Sequence, residues 1–426
     1  MSLNDLSALR RRYLLISGLG WLGTSLVIPV MVLQMSSKGL DIATIGMVFL
    51  VHGIVVTALE LPTGGLADVI GRRGVLATSA ALGVGGLAWM AFAGSAWEFV
   101  AITAIRGVAR ALSSGPAEAW YVDAVHAVDR EGDIRKGLSY GSSIGSITLG
   151  VGTVVGGVIP LVIPASSPIP ALSVPILLGA LGYGGLLLVS LLGMPEPARE
   201  VARPKFGELF KAVPGTIVSG VRLGLRNRLL AQVIACMAIV GIALDSVELL
   251  TPGRMADLLG GEAAAASGYG VITMIGFVAN ALGSGLASRI TTWAGGNPVR
   301  AAAIGAVVGG GGLLVLAGTG GLAGTAGLVG TGAGYALMFF GLGVTGPLRS
   351  ELVHNEVSAS ERATVVSIQS LAMQAGGSLG VVGLPILVAA TSTPVAWLVS
   401  GLMLAASALL IRRSRAVAKA EVAATV

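Results

Sequence analysis

Apolar stretches alternate with short polar ones from one end of the chain to the other. Twelve of them have the length, roughly 20 residues, that a helix needs to cross a bilayer: 13–34, 43–66, 74–94, 97–118, 137–160, 172–193, 229–251, 266–288, 299–318, 322–347, 363–390 and 394–411. One set of alternate connections is short and uncharged, apart from Ser36–Asp41, Thr251–Ala265 and the Pro-rich Pro160–Pro175. The longest polar stretch, 194–228, divides the spans six and six and holds seven basic and three acidic residues. Within it Phe206, Leu209, Phe210 and Val213 recur at helical spacing beside Lys205 and Lys211, the pattern of a helix lying flat at an interface, and Pro214-Gly215 ends it. The pattern predicts an all-α membrane protein of twelve transmembrane helices. Two six-helix bundles, 1–193 and 229–426, are joined by a linker, 194–228.

Composition agrees and removes the soluble alternatives. Of 426 residues, 54% are hydrophobic and 11% charged, with a mean hydropathy of +0.87. Such a chain cannot keep a soluble surface wet. The 65 glycines suit helices that pack through small-residue faces. The formal charge of +6 would fit nucleic-acid binding were it clustered. Instead, with the N-terminus inside, all of the 27 Lys and Arg except Lys38, Arg254, Arg106 and Arg110 fall on the inner side. That is the positive-inside rule, and it puts both termini in the cytoplasm. Cys236 is the only cysteine, which excludes an intramolecular disulfide and a cysteine-based metal cluster. Arg10-Arg11-Arg12 resembles a signal-peptide start, but the run Tyr13 to Leu33 is too long for one and reads as a retained span. Arginine far outnumbers lysine, which accords with a GC-rich bacterial genome.

Weak internal echoes support two related halves. Ser114-Gly115-Pro116 at the end of the fourth span is matched by Thr345-Gly346-Pro347 at the end of the tenth, and each precedes a charged loop. Gly65-Leu66-Ala67-Asp68 is matched by Gly285-Leu286-Ala287-Ser288-Arg289. Between the second and third spans the apolar run meets a Pro-Gly turn, then Gly64, Leu66, Ala67, Asp68, Gly71, Arg72 and Arg73. This loop resembles the G-x-L-A-D-R-x-G-R-R signature of the major facilitator superfamily, with Val69 where the family usually has arginine. The fourth span, Arg106 to Asp123, resembles that family's fourth-helix pattern, although Thr103 stands where many members carry arginine. In the fifth span Gly152, Gly156 and Gly157 fit the family's exporter motif G-x-x-x-G-P-x-x-G-G, while Thr148 and Thr153 replace its first glycine and its proline.

The resemblance implies a gate formed by Gly64, Asp68, Gly71, Arg72 and Arg73 that latches the bundles and must open on switching. The bland alternative for the same charges is a topology anchor. Charges inside spans are costly and mark either ion pairs or water-filled paths. Arg106 and Arg110 share a helix face at i,i+4, and Glu60 in the second span is their natural partner. Asp245 and Glu248, at i,i+3 in the seventh span, offer a second carboxylate pair, or solvated rim residues. These five are the proton-coupling candidates, with a structural role weighing more for Arg110 and a buried ion pair slightly more for Glu60. Gln34, His52, Asn280, Gln369 and Gln374 are candidates to line a cavity, interhelical hydrogen bonding being the alternative for each.

No nucleotide-binding, nucleophile-base or metal-ligand constellation is visible in the sequence, so no enzyme or cofactor is expected. The expectation is a secondary active transporter that works by alternating access, with protons as the coupling ion and export of a small organic compound, in the cytoplasmic membrane. A monomer suffices. Uptake or uniport on the same fold is the runner-up, and a non-transporting receptor or scaffold the third reading.

Overall fold

The computed structural model describes the backbone of residues 6–129, 132–196, 228–356 and 362–424. It describes their side chains except at 61, 62, 64, 65, 68, 69, 228, 229, 354–356, 362–364 and 411–424. Among the described residues the chain is helical throughout, in twelve long helices and one short one. They are α1 (Leu6–Ser37), α2 (Ile42–Ile70), α3 (Arg72–Met90), α4 (Ala96–Ser113), α5 (Pro116–Val128), α6 (Arg135–Val162), α7 (Ser173–Gly193), α8 (Arg228–Leu259), α9 (Glu262–Trp293), α10 (Pro298–Thr319), α11 (Gly324–Glu356), α12 (Arg362–Ala390) and α13 (Thr393–Ala424). Ten of these contain stretches long and apolar enough to cross a membrane. The exceptions among the long helices are α3, which opens on two arginines, and α4, which carries Glu98, Arg106 and Arg110.

Each expected span has its helix, but several expected loops are helical. The Pro-Gly turn expected after Leu59 does not form. Pro62 lies inside α2, which runs on to Ile70, and the link to α3 is Gly71 alone, at φ 93 and ψ 150. Thr63 Oγ1 donates to the carbonyls of Leu59, at 2.7 Å, and of Ala111 on α4, at 3.1 Å, so the helix is supported through the proline. The outer loop expected at Thr251–Ala265 is mostly helix as well. Helix α8 continues through Pro252 to Leu259 and turns at Gly260, φ 71. The two matched tripeptides part company. At Ser114-Gly115 the backbone leaves the helix, with Gly115 at φ 92, and Pro116 starts α5. Pro347 instead lies inside an unbroken α11, so the charged loop expected directly after it is helix to Glu356. The amphipathic stretch 205–213 lies outside the described residues.

The chain forms two compact units, the first holding α1–α7 with residues 261–271 and the second holding α8, the remainder of α9 and α10–α13. In the first, α3 packs on α7, α1 packs on α6 and α7, and α4 packs on α2 and α3. The second repeats the scheme six spans on: α10 on α13, α8 on α12 and α13, α11 on α10. Glycines set these approaches. A Cβ at Gly145 of α6 would lie 2.8 Å from Trp21 Cδ1, and one at Gly156 would strike the Leu26 carbonyl of α1. A Cβ at Gly376 of α12 would strike the Ala238 carbonyl of α8, and one at Gly341 of α11 the Gly309 backbone of α10. Backbones this close gain dispersion energy where lipid supplies no hydrophobic drive.

Capping fixes the ends. Asp41 accepts the Thr44 N–H at 2.8 Å and starts α2; hydrogen bonding by the Thr44 side chain and then its N–H lowers the carboxyl's pKa. Glu98 in the first turn of α4 accepts the N–H groups of Gly94 and Ser95, both at 3.0 Å, and the Trp89 indole N–H at 3.2 Å, joining the start of α4 to the end of α3.

Candidate functional site

The expected gate lies where α2 turns into α3. The backbone of Gly64 and Asp68 is in the last turns of α2, while the Asp68 side chain lies outside the described residues. Arg72 Nη1 pairs with Asp123 Oδ2 of α5 at 2.6 Å, the two side chains being 18% and 52% exposed. The first N–H groups of α3 face a carboxylate that the sequence reading passed over. Glu196, just past α7, accepts the Arg73 N–H at 2.9 Å and sits against Gly71 so closely that a Cβ there would overlap its carboxylate. An anion at a helix N-terminus satisfies donors that lack an intrahelical partner. The two residues before Glu196 are held too: Met194 is buried and the Pro195 carbonyl accepts the Trp120 indole N–H at 3.1 Å. The α2–α3 turn, α5 and the start of the linker are thus one bonded cluster. Its only sequence signal is an acid three residues past the sixth span, at the head of a basic linker.

The α2–α4 seam carries His52. Its Nδ1 lies 3.2 Å from the Thr103 carbonyl, Thr103 Oγ1 donates to Val48 O at 3.2 Å, and Gly107 lets α4 approach Val55 and the His52 carbonyl. Glu60 lies half-buried, one turn before Thr63 on α2. Arg106 and Arg110 both turn toward α1 and part from there. Arg106 Nη1 donates to Met31 Sδ at 2.9 Å, with Met90 Sδ of α3 at 4.0 Å. Arg110 is exposed, and its guanidinium carbon lies 5.9 Å from the centre of the Trp21 ring. Gln34 is buried at the other end of α1, donating to Ser173 Oγ at 3.3 Å, and Ser173 donates to the Ala91 carbonyl at 2.6 Å. That chain ties α1 to α7 and to the end of α3.

In the second unit Asp245 is half-buried on α8. Its carboxylate rests on Gly377 of α12, where a Cβ would overlap it, with Gly380 one turn on and Glu248 one turn along α8. Asn280 Nδ2 donates to the Phe339 carbonyl at 3.3 Å and joins α9 to α11. Gln369 and Gln374 are half-buried on α12. The glycines of the expected exporter motif are packing contacts: Gly152 meets Ser25 and Gly156 meets Leu26 of α1, and Gly157 meets the Ala266 carbonyl, all within the first unit.

The arrangement presents charged side chains on membrane-spanning helices in both units and a bonded cluster at the α2–α3 turn. The family model described as "Major Facilitator Superfamily" matches residues 13–381. No curated protein sequence matches the chain. Solved structures similar to it include the nucleoside transporter NupG (TM-score 0.74, 15% identity, 95% of this chain and 98% of that one). The POT family transporter PepTSo is similar at TM-score 0.71 and 13% identity over 96% and 97% of the two chains. A bacterial homologue of the iron transporter ferroportin, in an inward-facing state, is similar at TM-score 0.73 and 14% identity over 96% and 99%. At these identities the likeness is one of fold.

Proposed function

Since this chain belongs to the Major Facilitator Superfamily and is a multi-pass membrane transporter, we propose that it couples protons to the export of a small organic compound by alternating access. The observation that carries this reading is Asp245. It is a carboxylate on a membrane-spanning helix, seated on a glycine shelf of α12 with Glu248 one turn away. A carboxylate so placed takes up a proton from water on one side and gives it up when its cavity opens to the other. Glu60 in the first unit is the second candidate carrier, with Arg106 beside the same seam. The Gly71 end of the first unit is cytoplasmic in this reading, with both termini in the cytoplasm. The cluster of Arg72, Asp123, Glu196 and Gly71, with Asp68, forms the inner gate, whose contacts break on switching. An intact transport rate in Asp68→Asn, with normal membrane insertion, would count against the gate.

The neighbours are named for nucleosides, peptides and iron, so a shared fold leaves the cargo open. Uptake or uniport is the second reading. What favours it is the incomplete exporter motif of α6, whose glycines are all accounted for by packing. The test is proton movement in everted vesicles energised to an acidic interior. Addition of a cargo compound is expected to make the interior more alkaline in wild type. In Asp245→Asn the response should fall by an order of magnitude or more. Loss in Glu60→Gln with a normal Asp245→Asn response would move the proton site to the first unit. Silence across a broad compound panel, with expression verified, would favour the second reading.

A further inference from the structure

Arg110 takes no part in the bonded cluster at the α2–α3 turn, yet it is a charge on a membrane-spanning helix. Its depth follows from a ruler within the first unit. Tyr13 of α1 stacks on Tyr121 of α5, ring centres 4.5 Å apart, directly after Arg10-Arg11-Arg12, which marks the water interface. Trp21 lies about eight residues further along α1, about 12 Å in at the helical rise and thus near the middle of a ~30 Å core. Arg110 reaches that level from α4, over the Trp21 ring. Its neighbour one turn earlier, Arg106, is engaged by sulfur atoms of α1 and α3. Arg110 is exposed and makes no ion pair among the described residues, and Trp21 is itself 40% exposed. Helix α1 packs on α6 and α7 and α4 packs on α2 and α3, and α1 and α4 approach each other through side chains, Arg106 to Met31 and Arg110 to Trp21. Gly145 of α6 supports the indole from beneath.

We infer that Arg110 and Trp21 form a recognition platform for an anionic group attached to a planar ring, so that the cargo class is aromatic or heteroaromatic carboxylates and related anions. The guanidinium offers paired N–H donors that fit a carboxylate or phosphate bidentately. Its carbon lies 5.9 Å from the centre of the Trp21 ring, within cation–π range, and that contact restrains the side chain. The exposed part of the Trp21 ring offers a surface for the ligand's own ring. An exposed arginine at mid-membrane depth requires water or a counter-charge, and a cargo anion supplies the latter when it displaces the water. This assignment rests on the transporter reading and adds the chemistry of what is bound.

The test is equilibrium dialysis with the full-length protein in lipid nanodiscs. The probes are naphthoate, its neutral amide, the corresponding naphthylmethyl amine, and cyclohexanecarboxylate. Naphthoate should bind about tenfold or more tightly than the amide. Arg110→Gln should weaken naphthoate by about tenfold or more without changing the amide, and Arg110→Lys should restore part of the loss. Trp21→Leu should weaken naphthoate more than cyclohexanecarboxylate. Lys38→Gln, on the exposed turn after α1, should bind as wild type. Thermal unfolding of each variant shows that it is folded. The proposal is overturned if the amine binds as well as naphthoate, if Arg110→Gln leaves naphthoate binding unchanged, or if folded wild type binds no anion. Dialysis needs no flux, so the two readings fail separately. Naphthoate binding without proton-linked flux sinks the coupling mechanism alone. Proton-linked flux of a cation without anion binding sinks the platform alone.

Discussion

Gly376→Leu is expected to leave little folded protein. The Cβ it introduces would occupy the position of the Ala238 carbonyl on α8, and a helix carbonyl cannot be moved aside as a side-chain tip can. Helices α8 and α12 would have to separate along a contact that also includes Gly241 against the Met373 carbonyl and Gly380 against Ile242. Overpacking a tight contact costs about 1–3 kcal/mol, and more where backbone is displaced. The upper end applies here, because loss of this seam also removes the shelf under Asp245. Thermal unfolding in detergent should show a large fall in midpoint and most of the protein eluting as aggregate. Gly311→Ala on α10 is the matched control. A Cβ there meets nothing within 4 Å, so the change should be neutral or stabilise by up to about 1 kcal/mol through helix propensity. Equal behaviour of the two variants would show that glycine in this chain is not a packing requirement.

Gly71→Val should abolish transport while leaving membrane insertion intact. At φ 93 and ψ 150 the residue sits in a region open essentially to glycine alone, and a branched side chain there costs on the order of 1–3 kcal/mol. The new side chain would also displace the Glu196 carboxylate, leaving the Arg73 N–H without its partner. Two effects then add at one point: a strained turn and an undone link between α3 and the linker head. Glu196→Gln is the informative companion. It keeps an oxygen for the Arg73 N–H and loses only the charge, so transport should fall far less than in Gly71→Val. Should Gly71→Val transport normally at normal expression, neither the turn nor its cap is part of the gate.

What could be read without coordinates was set by long-range regularities. Lipid imposes a length and a polarity on every span, so the number and order of the long helices are written directly in the apolar pattern. Helix ends were less legible. Pro62, Pro252 and Pro347 look like stops in a linear text, yet each lies inside a helix. The cause is tertiary: at Pro62 the helix gains a bond from Thr63 to α4. The same limit applies to the site. Residue type and depth singled out Arg106, Arg110, Glu60 and Asp245, because charge in a membrane is costly wherever it occurs. Partners depend on which faces meet, and no single sequence carries that information. Hence Trp21, Met31 and Glu196, which turn two arginines and a glycine turn into defined environments, went unremarked.

The contrast between the two matched tripeptides has a mechanical consequence. Helix α11 runs from Gly324 to Glu356 without a break, so its charged end and the stacked Tyr335 and Phe339 belong to one helix. The corresponding member of the first unit is interrupted at Ser114-Gly115. Asp123 on α5 could separate from Arg72 on α3 without the movement being passed through a continuous helix to Arg110 on α4. Labels placed on either side of each tripeptide are expected to report fixed spacing in the second unit and variable spacing in the first.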